Sequence, residues 1–115
     1  MLEMLGTLEA AELPNGDFVV AAHGPLDERI AGELRDTLLP LTAGGGNVVL
    51  DLADAHGLDA RTLAIITCAA QLLRERDAEL AIVTHSPFVR QLVSDAGIGA
   101  LVVLHRSLAE AIRRD

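Results

Sequence analysis

The stretch from Asn47 to Arg76 restricts the fold of this chain more than any other. Val48-Val49-Leu50-Asp51-Leu52 is a short apolar run rich in β-branched residues. That is the pattern of a parallel strand covered on both faces. Ala53 to Leu58 reads as a loop, and Asp59 as the N-cap of a helix whose apolar body runs from Leu63 to Leu73. In an open α/β sheet, functional loops lie at the carboxyl ends of strands. Asp54 to Leu63 is therefore the segment expected to carry function.

The flanking sequence repeats the same grammar. Met1 to Glu12 is expected to hold an edge strand, which Pro14-Asn15-Gly16-Asp17 turns into a second strand, Phe18–Ala22. Gly24-Pro25 should break that strand. Asp27 then caps a helix in which Leu26, Ile30, Leu34 and Leu38 form one stripe and which Pro40 ends. Gly32 weakens that helix without stopping it. Glu79–Thr84 reads as another buried strand. Ser86 caps the next helix with Pro87 at its first position, and Phe88, Val89, Leu92 and Val93 supply its apolar face. Gly97 suits a left-handed C-cap with Ile98 packed back. Leu101–Leu104 is the last strand. Ser107 and Glu110 form a capping-box pattern for a final helix, whose Arg113 and Arg114 complement its dipole. The order is β-β-α-β-α-β-α-β-α. It predicts an α/β fold over one domain, 1–115, with a mainly parallel central sheet, helices packed on it and an antiparallel edge near Phe18–Ala22.

Composition narrows the function classes. The 115 residues suffice for a core of their own, and half are hydrophobic, but only two are aromatic, both Phe. The core must therefore be aliphatic. A formal charge of −8 and the scarcity of stacking platforms disfavour nucleic acid as a partner. All nine basic residues are Arg, which removes lysine mechanisms such as a Schiff base or a P-loop. The run Gly44-Gly45-Gly46 precedes a strand and has no Lys-Ser/Thr after it, so it reads as a flexible connection and not a phosphate loop. Cys68 stands alone, which fits a reducing compartment. No apolar run approaches a membrane span, and no signal-peptide pattern opens the chain; a cytoplasmic, bacterial-type protein is expected, without direct membrane insertion.

Few residues offer chemistry. His23, His56, His85 and His105 match no metal-ligand spacing and read as separate loop or strand-end histidines. Asp51, Asp54 and Asp59 could cluster as a weak Mg²⁺ site, but caps and solvated loop acids are the favoured reading. Cys68 reads as a small hydrophobe. No nucleophile, base and electrophile set emerges, so no enzyme, cofactor or metal is expected. The helix after Asp59 carries two stripes. Leu63, Ile66, Ala70 and Leu73 should face the sheet. Arg61, Ile65, Cys68 and Leu72 form an offset second stripe, which either packs on a neighbouring helix or marks a binding surface.

Taken in order, several segments resemble the STAS domain, the family of anti-sigma factor antagonists and sulfate-transporter tails. Gly24-Pro25-Leu26-Asp27 is similar to that family's Gly-Glu-Leu-Asp. Val48 to Leu52, then Leu58-Asp59 and Leu63, resemble its Val-Val-Leu-Asp-Leu strand and Asp-Ser-Ser/Thr-Gly-Leu signature. Thr84 to Val89 and Asp95 to Ile98 resemble its third-helix start and its Ser/Thr-Gly-Leu segment. The resemblance runs from about Phe18 to Arg114. It implies a non-enzymatic protein-interaction module in partner-switching control of transcription, with an anti-sigma factor or serine kinase as partner. The signature is degenerate here: its phosphoacceptor position holds Arg61, its first Ser is Ala60 and its Gly is Thr62. A permanent cation without a hydroxyl removes the phosphorylation switch, leaving Thr62 as the possible substitute acceptor. The partner surface implied at this helix start comprises His56, Gly57, Leu58, Asp59, Arg61, Thr62 and Ile65. Two other roles stay open: an accessory STAS subunit of a membrane lipid-transport ABC complex, and binding of a small ligand such as a nucleotide at the same loop. Oligomeric state is not legible.

Overall fold

The computed structural model describes residues 6–113. Expectations for Met1 to Leu5 and for the charges of Arg113 and Arg114 fall outside the described residues and side chains. The elements are β1 (Thr7–Glu12), β2 (Phe18–Pro25), α1 (Glu28–Leu41), β3 (Val48–His56), α2 (Ala60–Arg74), β4 (Leu80–Val83), α3 (Pro87–Asp95), β5 (Val102–His105) and α4 (Leu108–Arg113). The five strands lie side by side in chain order, so β3 is central. β1 runs antiparallel to β2, and all other neighbours are parallel. The expected mainly parallel sheet with an antiparallel edge is the observed one.

Strand order has a direct consequence for layers. Each parallel connection steps one strand in the same direction, and right-handed crossovers then place α1, α2 and α3 on one face. Register lines up Val20, Leu50, Ile82 and Leu104 across that face. They meet the α1 stripe Ile30, Leu34 and Leu38, and Ile66, Ala70 and Leu73 of α2, in one cluster. The alternate residues Val19, Val49, Ala81 and Val83 point to the other face, where α4 covers them with Ala111 and Leu108.

Three boundaries differ from expectation. β3 does not end at Leu52 but runs to His56. Pairing with β2 shifts between Ala21 and His23, whose partners are Asp51 and Asp54. Leu52 and Ala53 thus oppose Ala22 alone, a bulge, and the Asp51 carboxylate accepts the Ala53 N–H at 3.0 Å. The bulge interrupts the hydrophobic alternation, which is why the sequence looks like a loop there. β2 likewise passes through Gly24 to Pro25, opposite Ala55 and His56. Among the described residues its pairing with β1 runs to His23. Finally, Pro40 lies inside the last turn of α1, one residue before its end.

The glycine run before β3 has a packing reason. A Cβ at Gly46 would run into the carbonyl oxygen of Gly16 in the β1–β2 turn. Asn47 then ties three strand starts together. Its N–H donates to Asp17 at 3.0 Å, its carbonyl accepts from Phe18 at 3.0 Å, and its side-chain oxygen accepts from Glu79 at 3.0 Å.

Both α2 and α3 close with paired bonds around a left-handed residue. After α3 it is Gly97, with φ 74°, as expected. After α2 it is Asp77, with φ 59°, flanked by Asp77 N–H to Arg74 at 3.1 Å and Ala78 N–H to Leu73 at 2.9 Å. A side chain is mildly strained there. Asp77→Gly should raise unfolding free energy by up to about 1 kcal/mol, and the β-branched Asp77→Val should lower it. Urea denaturation of the three proteins measures both.

Candidate interaction site

The carboxyl ends of β3 and β4 meet beside the first turns of α2 and α3. Beyond the bulge, Ala55 packs against the core, whereas His56 and Gly57 are exposed. Leu26 N–H donates to the His56 carbonyl at 2.8 Å and fixes the loop against the start of α1. Leu58 turns inward and is buried. Asp59 follows as the N-cap of α2, its carboxylate accepting Thr62 N–H at 2.9 Å. That bond, with lesser help from the nearby charge of Arg61, holds the Asp59 carboxyl below its ordinary value.

The residues expected at the partner surface separate into two sets. His56, Gly57, Asp59 and Arg61 are exposed, and Ile65 is half-buried. Leu58 and Thr62, expected on that surface, are buried instead, Thr62 completely. The helix is rotated slightly from the expected phase. Thr62, Ile66, Ala69, Ala70 and Leu73 face the sheet, and Leu63 sits at the boundary. The Thr62 hydroxyl oxygen is enclosed and meets no hydrogen-bond partner among the described residues. Arg61 spans toward α1, 3.4 Å from Glu28, with both side chains largely exposed. Such a pair adds little stability. The second stripe divides as well: Ile65 lines an α1–α2 groove with Ala31, Gly32 and Ala64, while Cys68 is exposed.

The three aspartates do not converge on one ligand. Asp51 serves the bulge, Asp54 lies 3.3 Å from His23 and Asp59 caps α2.

Phe88 is the residue that sequence reasoning misplaced. Assigned to the buried face of α3, it is 61% exposed, while Val89 and Val93 do the burying. It stands at the mouth of a cavity of about 90 Å³ lined chiefly by Leu26, Leu52, Ala55, Leu58 and Val89. Helical spacing alone does not separate Phe88 from its neighbour Val89. The signal available was its position in the first turn, next to the Ser86 cap, where a helix face is least covered.

Such an arrangement defines an α/β domain that presents loops from one end of its sheet. The chain belongs to the STAS domain family, whose model matches residues 9–111. No curated protein matches it by sequence. An anti-sigma factor antagonist from Mycobacterium paratuberculosis superposes with a TM-score of 0.80 at 21% identity, over 94% of this chain and 92% of that one. The Bacillus cell fate determinant SpoIIAA in its phosphorylated form gives 0.76 at 15% identity, over 92% and 96%. At these identities the likeness is one of fold.

Asp59 gives this site a pH signature. Its folded value lies below the ordinary carboxylate value, so its stabilisation is complete above the unfolded value and is lost as pH falls through the folded one. Asp59→Ala should cost about 1 kcal/mol at neutral pH, and the deficit should shrink in acid below the carboxylate range. Asp59→Asn should keep most of the cap. Thermal unfolding of the variants at neutral and acid pH measures the difference.

Proposed function

We propose that this chain is a non-enzymatic interaction module of the anti-sigma factor antagonist type, binding an anti-sigma factor or related serine kinase without a phosphorylation switch. One observation carries the reading. An exposed aromatic side chain, in a chain with only two aromatics, stands over an apolar cavity at the loop end of the sheet. A large apolar side chain left in water beside a concave apolar floor is the anatomy of a protein contact. Arg61, in the first turn of α2 and lining the neighbouring α1–α2 groove, supplies a charge that an acidic partner group would meet. The names of the solved relatives, antagonists of anti-sigma factors, support the class of partner.

Loss of the switch has two supports. Arg61 stands at the acceptor position and carries no hydroxyl. Thr62, the neighbouring hydroxyl, points into the core, and a kinase would reach it only if the first turn of α2 opened. Binding would then be set by abundance of the two proteins and not by phosphate.

The test is purification from native lysate followed by calorimetry with the captured partner. Arg61→Glu and Phe88→Ala should each leave the circular dichroism unchanged and weaken binding about tenfold or more. Unchanged affinity in both would move the interface elsewhere. Capture of an ABC-type ATPase in place of an anti-sigma factor would assign the accessory-subunit role. Incubation of the pair with ATP should leave Ala60, Arg61 and Thr62 without phosphate by mass mapping. Stoichiometric phospho-Thr62 would show that the switch survives one residue away.

A further inference from the structure

The geometry points to a binding site for a phosphate-type dianion in the cleft formed by His85, Pro87, Arg90 and Arg106, which adjoins the proposed interaction surface at the start of α3 but has its own lining. The cleft has a volume of about 260 Å³. Its residues come from consecutive strand ends: His85 lies just beyond β4, and Arg106 directly follows β5. Pro87 and Arg90 belong to α3. In open α/β sheets this end is where ligands bind.

Charge selects the ligand. The protein carries a formal −8, yet the cleft is lined by two arginines and a histidine and by no carboxylate. The described ion pairs engage Arg29, Arg35 and Arg61 but neither Arg90 nor Arg106. Two permanent cations gathered without a counter-ion repel each other, and a bound anion relieves that repulsion. Guanidinium forks match the oxygen geometry of phosphate, and two of them balance a charge near −2, the state of a phosphate monoester at neutral pH. The positive end of the α3 dipole lies at Pro87 and adds to the attraction. Monocarboxylates leave half of the charge unmatched. The phosphoryl group could belong to free phosphate, to a nucleotide or to a lipid headgroup, since the cleft reads only the oxygens.

A titration followed by amide and arginine side-chain NMR tests this at constant ionic strength, with chloride as the reference salt. Three probes are used: inorganic phosphate, adenosine monophosphate, and vesicles containing phosphatidic acid, whose headgroup is a phosphate monoester, read by co-sedimentation. The expected result is saturable perturbation at Ser86 to Arg90 and at Arg106 by inorganic phosphate. Tighter binding of the nucleotide or of the vesicles would identify the source of the phosphoryl group. Arg90→Gln combined with Arg106→Gln should weaken binding about tenfold or more while the fold persists by circular dichroism. Arg35→Gln combined with Arg76→Gln, an equal charge change on α1 and beyond the far end of α2, should leave it unaltered. Absence of saturation with all three probes overturns the proposal, as does equal affinity in the double variant.

Discussion

Everything in this fold hangs on the burial of β3. Leu50 and Val48 point into the layer made by α1 and α2, and Val49 points the opposite way under α4. A stretch buried on both faces, as Val48–Leu50 is, must sit inside the sheet, and its neighbours must be parallel strands returned by helices. Once β3 is central, stepwise right-handed crossovers put three helices on one side and all the β–α loops at one end. The proposed interaction surface is a product of that constraint. His56 and Arg61 on one side and Phe88 on the other are far apart in sequence and share one end of the molecule because parallel strands all finish there.

Helix starts were the most legible part of the chain. Asp27, Ser86 and Ser107, like Asp59, each accept the backbone N–H three residues on, at 3.0, 3.3 and 3.1 Å respectively. Capping is local: one short polar side chain and the next turn decide it, so the sequence states it directly. The α1 stripe was legible for the same reason, and Leu26, Ile30, Leu34 and Leu38 are all buried. The less legible features depend on partners distant in the chain. The β3 bulge exists because β2 accommodates two residues opposite one, which no window around Ala53 reveals. The extension of β2 to Pro25 likewise depends on β3, whose Ala55 and His56 pair with Gly24 and Pro25.

The site follows the same division. Asp59 as cap and Arg61 as an exposed cation could be read in advance, because both depend on the helix start. The inward turn of Leu58 and Thr62 could not, because it depends on how α2 is rotated against the sheet. That rotation has functional weight. It encloses the Thr62 hydroxyl and leaves Arg61 and Ile65 toward α1. Phe88 went unread because an aromatic at helical spacing ordinarily belongs to a core. Here the core is filled by Val89 and Val93, and the ring is left at the cavity mouth.

The central claim is that partner recognition occurs at the loop end of the sheet, on a preformed frame. Hydrogen-exchange mass spectrometry of the chain, alone and with its captured partner, tests it most directly. The account predicts new protection confined to residues 56–65 and 86–90, with the strands equally protected in both states. Protection concentrated on the β1 or β5 edge, with those two segments unchanged, would contradict it.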